Sequence, residues 1–308
     1  MTAVWSGRRR LPRPAQLWPL VKARPAQAVP VPDHLSMVST SLTVLAVLCA
    51  WLVAQLLILG GLEHHRAQDR LYAEFREQLA AATAPVGGIV EPGAPVAVLD
   101  VPGLSWNQVV IEGTSSGLLL DAPGHRRDTV LPGQAGVSIL YGKASTFGRP
   151  FRAMLDGAAG QKMTVTTGQG ELSYTIGEVR RAGDPLPAAP PAGGSRITMV
   201  TAEGDGRLGD LAPNRVVYVD ATLDAGAFVA PPGRLNAIGP AETAMASDTS
   251  VMPALALSLG VLAAATVGVI IARRRFGAIR TWLIGAPIVL ALAWLSADLT
   301  TYLLPNLL

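Results

Sequence analysis

Val96-Ala97-Val98-Leu99-Asp100-Val101 and, past Pro102 and Gly103, Asn107-Gln108-Val109-Val110-Ile111-Glu112 are two short apolar runs bounded by turn residues. Further runs of the same kind follow at 136–141, 161–167, 171–180, 196–201 and 215–223, rich in Val, Ile, Thr and Tyr. Such side chains suit a pleated, half-buried surface, while the Gly and Pro between them end each run. The pattern predicts a mainly β domain over 96–223, closed into a barrel.

Working outward from that domain, the chain turns greasy. Half of the 308 residues are apolar and only 15% are charged. Residues 37–62 carry no charge and exceed the roughly 20 residues that cross a bilayer. They read as a first transmembrane helix. Residues 1–36, Pro- and Arg-rich without periodicity, read as a disordered basic cytoplasmic tail. Residues 63–95 read as a helical stalk and linker: Leu71, Tyr72, Phe75 and Leu79 fall at helical spacing, and Pro85, Gly87, Gly88, Pro92 and Gly93 then break the chain. On the far side of the barrel, 224–248 is a Pro/Gly/Ala linker, 251–272 a second span and 281–304 a third, with Pro287 inside it. Gly260, Ala264 and Gly268 recur every fourth residue in the second span, a pattern that suits close helix packing in lipid.

Charge sets the expected orientation. The sequence pI is 9.3, but basic residues cluster at Arg8, Arg9, Arg10, Arg13, Lys22 and Arg24, and again at Arg273, Arg274, Arg275 and Arg280. Both clusters abut apolar runs, as cytoplasmic flanks of membrane helices do. Between Val96 and Asp220 twelve acids meet eleven bases, with no basic stripe and no nucleic-acid motif. A nucleic-acid partner is therefore not expected. The single cysteine, Cys49, lies inside the first span and excludes a disulfide framework within one chain. No cofactor motif is present. Glu203, Asp205 and Asp210 share a Gly-rich loop but lack the regular spacing of a calcium-binding loop, so no metal site is expected.

Several short motifs then line up in one order. Val98-Leu99-Asp100-Val101-Pro102 stands as an opening strand, and Val110-Ile111-Glu112-Gly113 as the next strand and its turn. Ala122-Pro123-Gly124-His125, Leu131-Pro132-Gly133-Gln134-Ala135-Gly136 and Ile139-Leu140-Tyr141-Gly142 follow, then Phe147 to Leu155, Ile197-Thr198-Met199-Val200-Thr201 and Asn214-Arg215-Val216-Val217. In order and spacing this region resembles the sortases, membrane-anchored cysteine transpeptidases, over roughly 96 to 222. The fold class implied is a mainly β, sortase-like closed β-barrel ectodomain flanked by transmembrane α-helices.

The resemblance implies a cysteine nucleophile, a histidine acid/base and an arginine. Carried over by position these fall on Ala202, Lys143 and Arg215, so only the arginine remains. Without a thiolate the usual acyl-enzyme cannot form. Lys143 would need its pKa lowered by about three units from about 10.4 to act as a base near neutrality. Thr201 lies one residue from the nucleophile position, and strand alternation turns its hydroxyl to the other face. His34, His64 and His65 are expected at the ends of the first span, outside the barrel, and His125 in a turn-stabilising role. Lys143 and Arg215 are expected to pair with Glu203 or Asp205.

The reading is thus a degenerate sortase with no catalytic set. Lys143, Ala202, Glu203, Asp205 and Arg215 are the candidates for a binding groove, with no metal and no cofactor. Its expected partners are the membrane, crossed three times, and a cell-envelope protein or sorting-signal-like peptide. The alternative is a divergent transpeptidase with an unrecognised nucleophile.

Overall fold

The computed structural model describes residues 42, 46–205, 209 and 213–308. The expected cytoplasmic tail 1–36, part of the first span 37–62 and Asp210 lie outside them. Residues 46–308 pack as one unit.

Eight strands close into one barrel: β1 (Pro95–Val101), β2 (Trp106–Glu112), β3 (Gly124–His125), β4 (Gly136–Tyr141), β5 (Lys162–Thr167), β6 (Gly170–Arg180), β7 (Ser195–Glu203) and β8 (Arg215–Leu223). They hydrogen-bond in the order β1-β2-β3-β4-β7-β8-β6-β5. Seven of them coincide with the apolar runs of the sequence. The two-residue β3 does not, because a pair of residues is too short to show alternation. It pairs parallel to β2 and antiparallel to β4, so it bridges strands that would otherwise leave a gap.

Strand alternation sorts side chains into two clusters. Leu99, Leu140, Met163, Val165, Tyr174, Ile197, Met199, Val219 and Ala221 fill the barrel interior. Tyr141, Val200 and Ala202 belong to a separate cluster with Leu119, Ala144 and Leu307. Along β7, Ile197 and Met199 thus point inward, and Val200 and Ala202 point outward.

Residues 46–54 are helical, and a π-helical turn at Gln55–Leu59 leads without a break into α1 (Gly60–Ala80). This helix is no free stalk. Phe75 is fully buried against Val98, Val109 and Ala84, with Leu71 and Leu79 beside it, because its apolar stripe covers the outer face of β1 and β2. Two short helical turns follow within the barrel connections, α2 (Leu118–Asp121) and α3 (Arg152–Leu155).

Beyond β8, the linker 224–248 is not a loose tether. Phe228 bridges to Gln134, and Thr114 Oγ1 donates to the Glu242 carbonyl at 2.7 Å. Then come α4 (Met252–Phe276) and α5 (Ala278–Thr301), antiparallel neighbours joined at Gly277. Two helical stretches, Thr249–Arg273 and Ile279–Thr301, are long and apolar enough to cross a membrane among the described residues. Three such spans were expected, and only these two are present among those residues. The hairpin packs through Gly285, where an added Cβ would lie 2.6 Å from Val269 Cγ2, and through Ser296 Oγ donating to Ser258 Oγ at 3.2 Å. Gly260 and Gly268 have open space where a Cβ would be, so the expected small-residue stripe does not form the contact. The third span was expected to reach residue 304, but α5 stops at Thr301 and residues 302–308 turn back onto the barrel.

Candidate functional site

Parallel pairing of β4 with β7 sets the site. Tyr141 is opposite Val200, and the Gly142 N–H donates to the Val200 carbonyl at 3.0 Å. The end of β4 therefore delivers Lys143 beside the strand end that carries Ala202. Gly142 has to be glycine: a Cβ there would sit 2.6 Å from the Phe151 ring. On the other edge of β7, Ala202 pairs with Val216 and Glu203 with Arg215. The fold thus brings the three positions singled out by the resemblance to one end of the barrel.

Their environments differ. Lys143 is fully buried, and its Nζ has no hydrogen-bond partner among the described residues. Its Nζ lies over the Phe147 ring, 5.8 Å from the centroid. Burial alone lowers the ammonium pKa to about 8, since removing a charge from water favours the neutral amine. About a tenth of such amines are uncharged at pH 7. The expected ion pair of Lys143 with Glu203 or Asp205 is absent; the lysine turns instead into the apolar loop that follows β4. That loop is held by Trp106 Nε1 donating to the Pro150 carbonyl at 2.6 Å. Within it Phe147 and Arg149 adopt left-handed backbone angles, φ 47° and 50°, which side chains other than glycine rarely tolerate.

Arg215 is half-exposed and does make the expected pairs. Its Nη2 lies 2.6 Å from Asp205 Oδ1 and 3.4 Å from Glu203 Oε1. Glu203 also receives a two-pronged contact from Arg181, at 2.7 and 2.9 Å, and these hydrogen bonds with the arginine charges hold its carboxyl below the usual range. Sequence reasoning missed Arg181. It sits just past β6, and no local pattern announces a partner 22 residues away.

The other candidate side chains are accounted for. Thr201 lies in the β7 register of the inward-pointing Ile197 and Met199, and its buried Oγ1 has no partner in the described residues. The barrel wall thus stands between that hydroxyl and the outward face. His125 is buried between Glu112 (Nδ1 to Oε2, 2.7 Å) and the Val130 carbonyl (Nε2, 2.9 Å), with Thr129 Oγ1 at 3.1 Å. It fastens the turn between β3 and β4. His64 was expected outside the barrel at a membrane end. It is buried instead, with Nε2 3.0 Å from Gln108 Oε1, because α1 lies along the barrel. Burial lowers its pKa.

A groove of about 790 Å³ runs along the outward face of β4, β7 and β8. Its walls include Ile139, Tyr141, Val200, Tyr218 and Arg215, with Leu186 from the β6–β7 connection. Lys143, Ala202, Glu203 and Asp205 do not line the open part. Ala202 is buried, and Leu307 lies in the same cluster. No group of three or more metal-ligating side chains is found among the described residues.

Residues 99–223 match the sortase domain family model, a stretch covering less than half of the chain. Similar solved structures include the sortase D5 transpeptidase of Clostridium perfringens, 19% identical, with TM-score 0.42 over 52% of this chain and 99% of that one. Sortase E of Streptomyces avermitilis is 25% identical, with TM-score 0.36 over 44% of this chain and 91% of that one. Sortase E1 of Streptomyces coelicolor, solved with a tripeptide in its active site, is 20% identical, with TM-score 0.36 over 45% and 93%. No curated protein matches the chain.

Proposed function

We propose that this sortase-like domain is held at a bacterial cell membrane, outside the cytoplasm, as a non-catalytic binding or scaffold protein of the cell envelope. One observation carries the reading: at the outward strand end where a sortase needs its sulfur, the chain has the buried Ala202 methyl. The neighbouring Lys143 amine has no hydrogen-bonded group to activate among the described residues. The groove along β4, β7 and β8 supplies an apolar floor and an arginine rim suited to a peptide of the sorting-signal type or to an envelope protein segment.

The membrane part of the reading comprises three spans, with residues 37–62 as the first. Trp51 supports it, meeting Trp294 of α5 edge to face with centroids 5.7 Å apart, so the helix before α1 lies against the hairpin. The arginines at 273–275 and 280 favour a cytoplasmic turn and hence an extracytoplasmic barrel.

The test uses the full chain in detergent. A sorting-motif peptide bearing a photo-crosslinker should label the groove, and Val200→Trp should abolish that labelling. With hydroxylamine added, no hydroxamate should form. Hydroxamate that disappears in Lys143→Met would overturn the reading in favour of a divergent transpeptidase, and absence of any groove crosslink would remove the peptide as ligand.

A further inference from the structure

The side chain packed in the cluster with Ala202 comes from the segment after α5. Leu307 is fully buried among Leu119, Tyr141, Ala144, Val200 and Ala202. Its carbonyl accepts from the Ala144 N–H at 3.0 Å, one residue from Lys143. The Leu308 carbonyl accepts from Thr146 Oγ1 at 2.5 Å, on the same loop. The segment is also fastened from behind. Asn306 is fully buried, donates through Nδ2 to the carbonyls of Ala241 and Thr243 at 2.8 and 2.7 Å, and through its backbone to Ala246 at 2.9 Å.

This docking lies outside the barrel's own core. Leu307 belongs to the outward cluster and not to the interior one, so the barrel is filled without it. The open groove reaches Tyr141 and Val200 and stops short of Ala202, in the cluster where Leu307 sits. The segment is also tied to the helical hairpin at both ends. It follows directly from α5, and the Asp248 N–H just ahead of α4 donates to the Tyr302 carbonyl at 3.0 Å. A shift of the hairpin is therefore a shift of Leu307.

We infer that residues 302–308 form a strap that closes the Ala202 end of the groove in cis, so that a ligand reaching Ala202 and Lys143 must displace Leu307. This rests on the groove being the binding site and concerns how that site is opened. The occupant that replaces the strap is a leucine-bearing segment with free main-chain carbonyls, since those are the contacts that Ala144, Thr146 and the apolar cluster present.

Cysteine accessibility in the full chain tests the strap without any ligand. In a Cys49→Ser background, Ala202→Cys should resist N-ethylmaleimide. Adding Leu307→Asp, or the milder Asn306→Ala, should speed its alkylation by about tenfold or more, as local opening does. Met199→Cys, inside the barrel, should stay protected in the same backgrounds. An unchanged rate at position 202 in both variants, or an equal rise at 199 and 202, overturns the strap. Failure of strap-released chains to crosslink a peptide would instead overturn the binding reading and leave the strap standing.

Discussion

Lys143 holds an ammonium where water cannot reach it. Its folded pKa of about 8 lies below the ordinary value of 10.5, so between those pH values the unfolded chain binds more protons than the folded one. Stability should rise with pH across that window. Below about pH 8 the burial of the charge costs on the order of 3 kcal/mol. Lys143→Met should therefore stabilise the protein at pH 7 by up to that amount, with the gain fading towards pH 10.5. Denaturant unfolding at pH 7 and pH 10 measures this, and a Met variant less stable at pH 7 would show that the amine has a partner. His125 behaves in the opposite way. It is tied on both ring nitrogens, so His125→Ala should leave Glu112 buried and unpaired and cost about 3 kcal/mol. A variant of wild-type stability would argue that the histidine is held for something other than structure.

At the scale of elements, β7 decides what chemistry the barrel can offer. Outward register gives Ala202 and inward register gives Thr201, and a strand cannot present both on one face. Arg215 and Asp205 are both largely exposed, and such a pair is worth no more than about 1 kcal/mol. They set charge at the groove rim and add little to stability. α1 contributes more through burial. Phe75→Ala removes a fully buried ring from between helix and barrel and should cost about 3–5 kcal/mol, read as a lowered Tm of the full chain. A loss under about 1 kcal/mol would mean that α1 swings free of β1 and β2 in solution.

For the molecule as a whole, the hairpin begins and ends at one place. Asp248 and Tyr302 are hydrogen-bonded neighbours, and the strap lies on the barrel. If α4 and α5 cross a bilayer, Gly277 must emerge on the face opposite the barrel. In a Cys49→Ser background, Gly277→Cys should react with a membrane-impermeant thiol reagent only from the cytoplasmic side. Lys162→Cys, on the exposed barrel surface, should react only from outside. Labelling of both from one side would rule out a spanning hairpin.

How far each feature was legible depends on the range of the interactions that make it. Strand positions rest on alternation within six to eleven residues, so seven of eight strands and the two apolar helices could be read from the chain. The Arg215 pairs with Glu203 and Asp205 were also legible, because β7 and β8 are adjacent in order. Three things were not: the isolation of Lys143, the docking of α1 on the barrel, and the return of residues 302–308 to Ala202. The sequence by itself determined the barrel, its apolar helices and the absence of a cysteine from residues 96–223, since each is written in local periodicity or residue identity. Only the tertiary structure decided which surfaces of that barrel stay open. Burial depends on segments as far apart as Ala144 and Leu307, and no local pattern encodes their meeting.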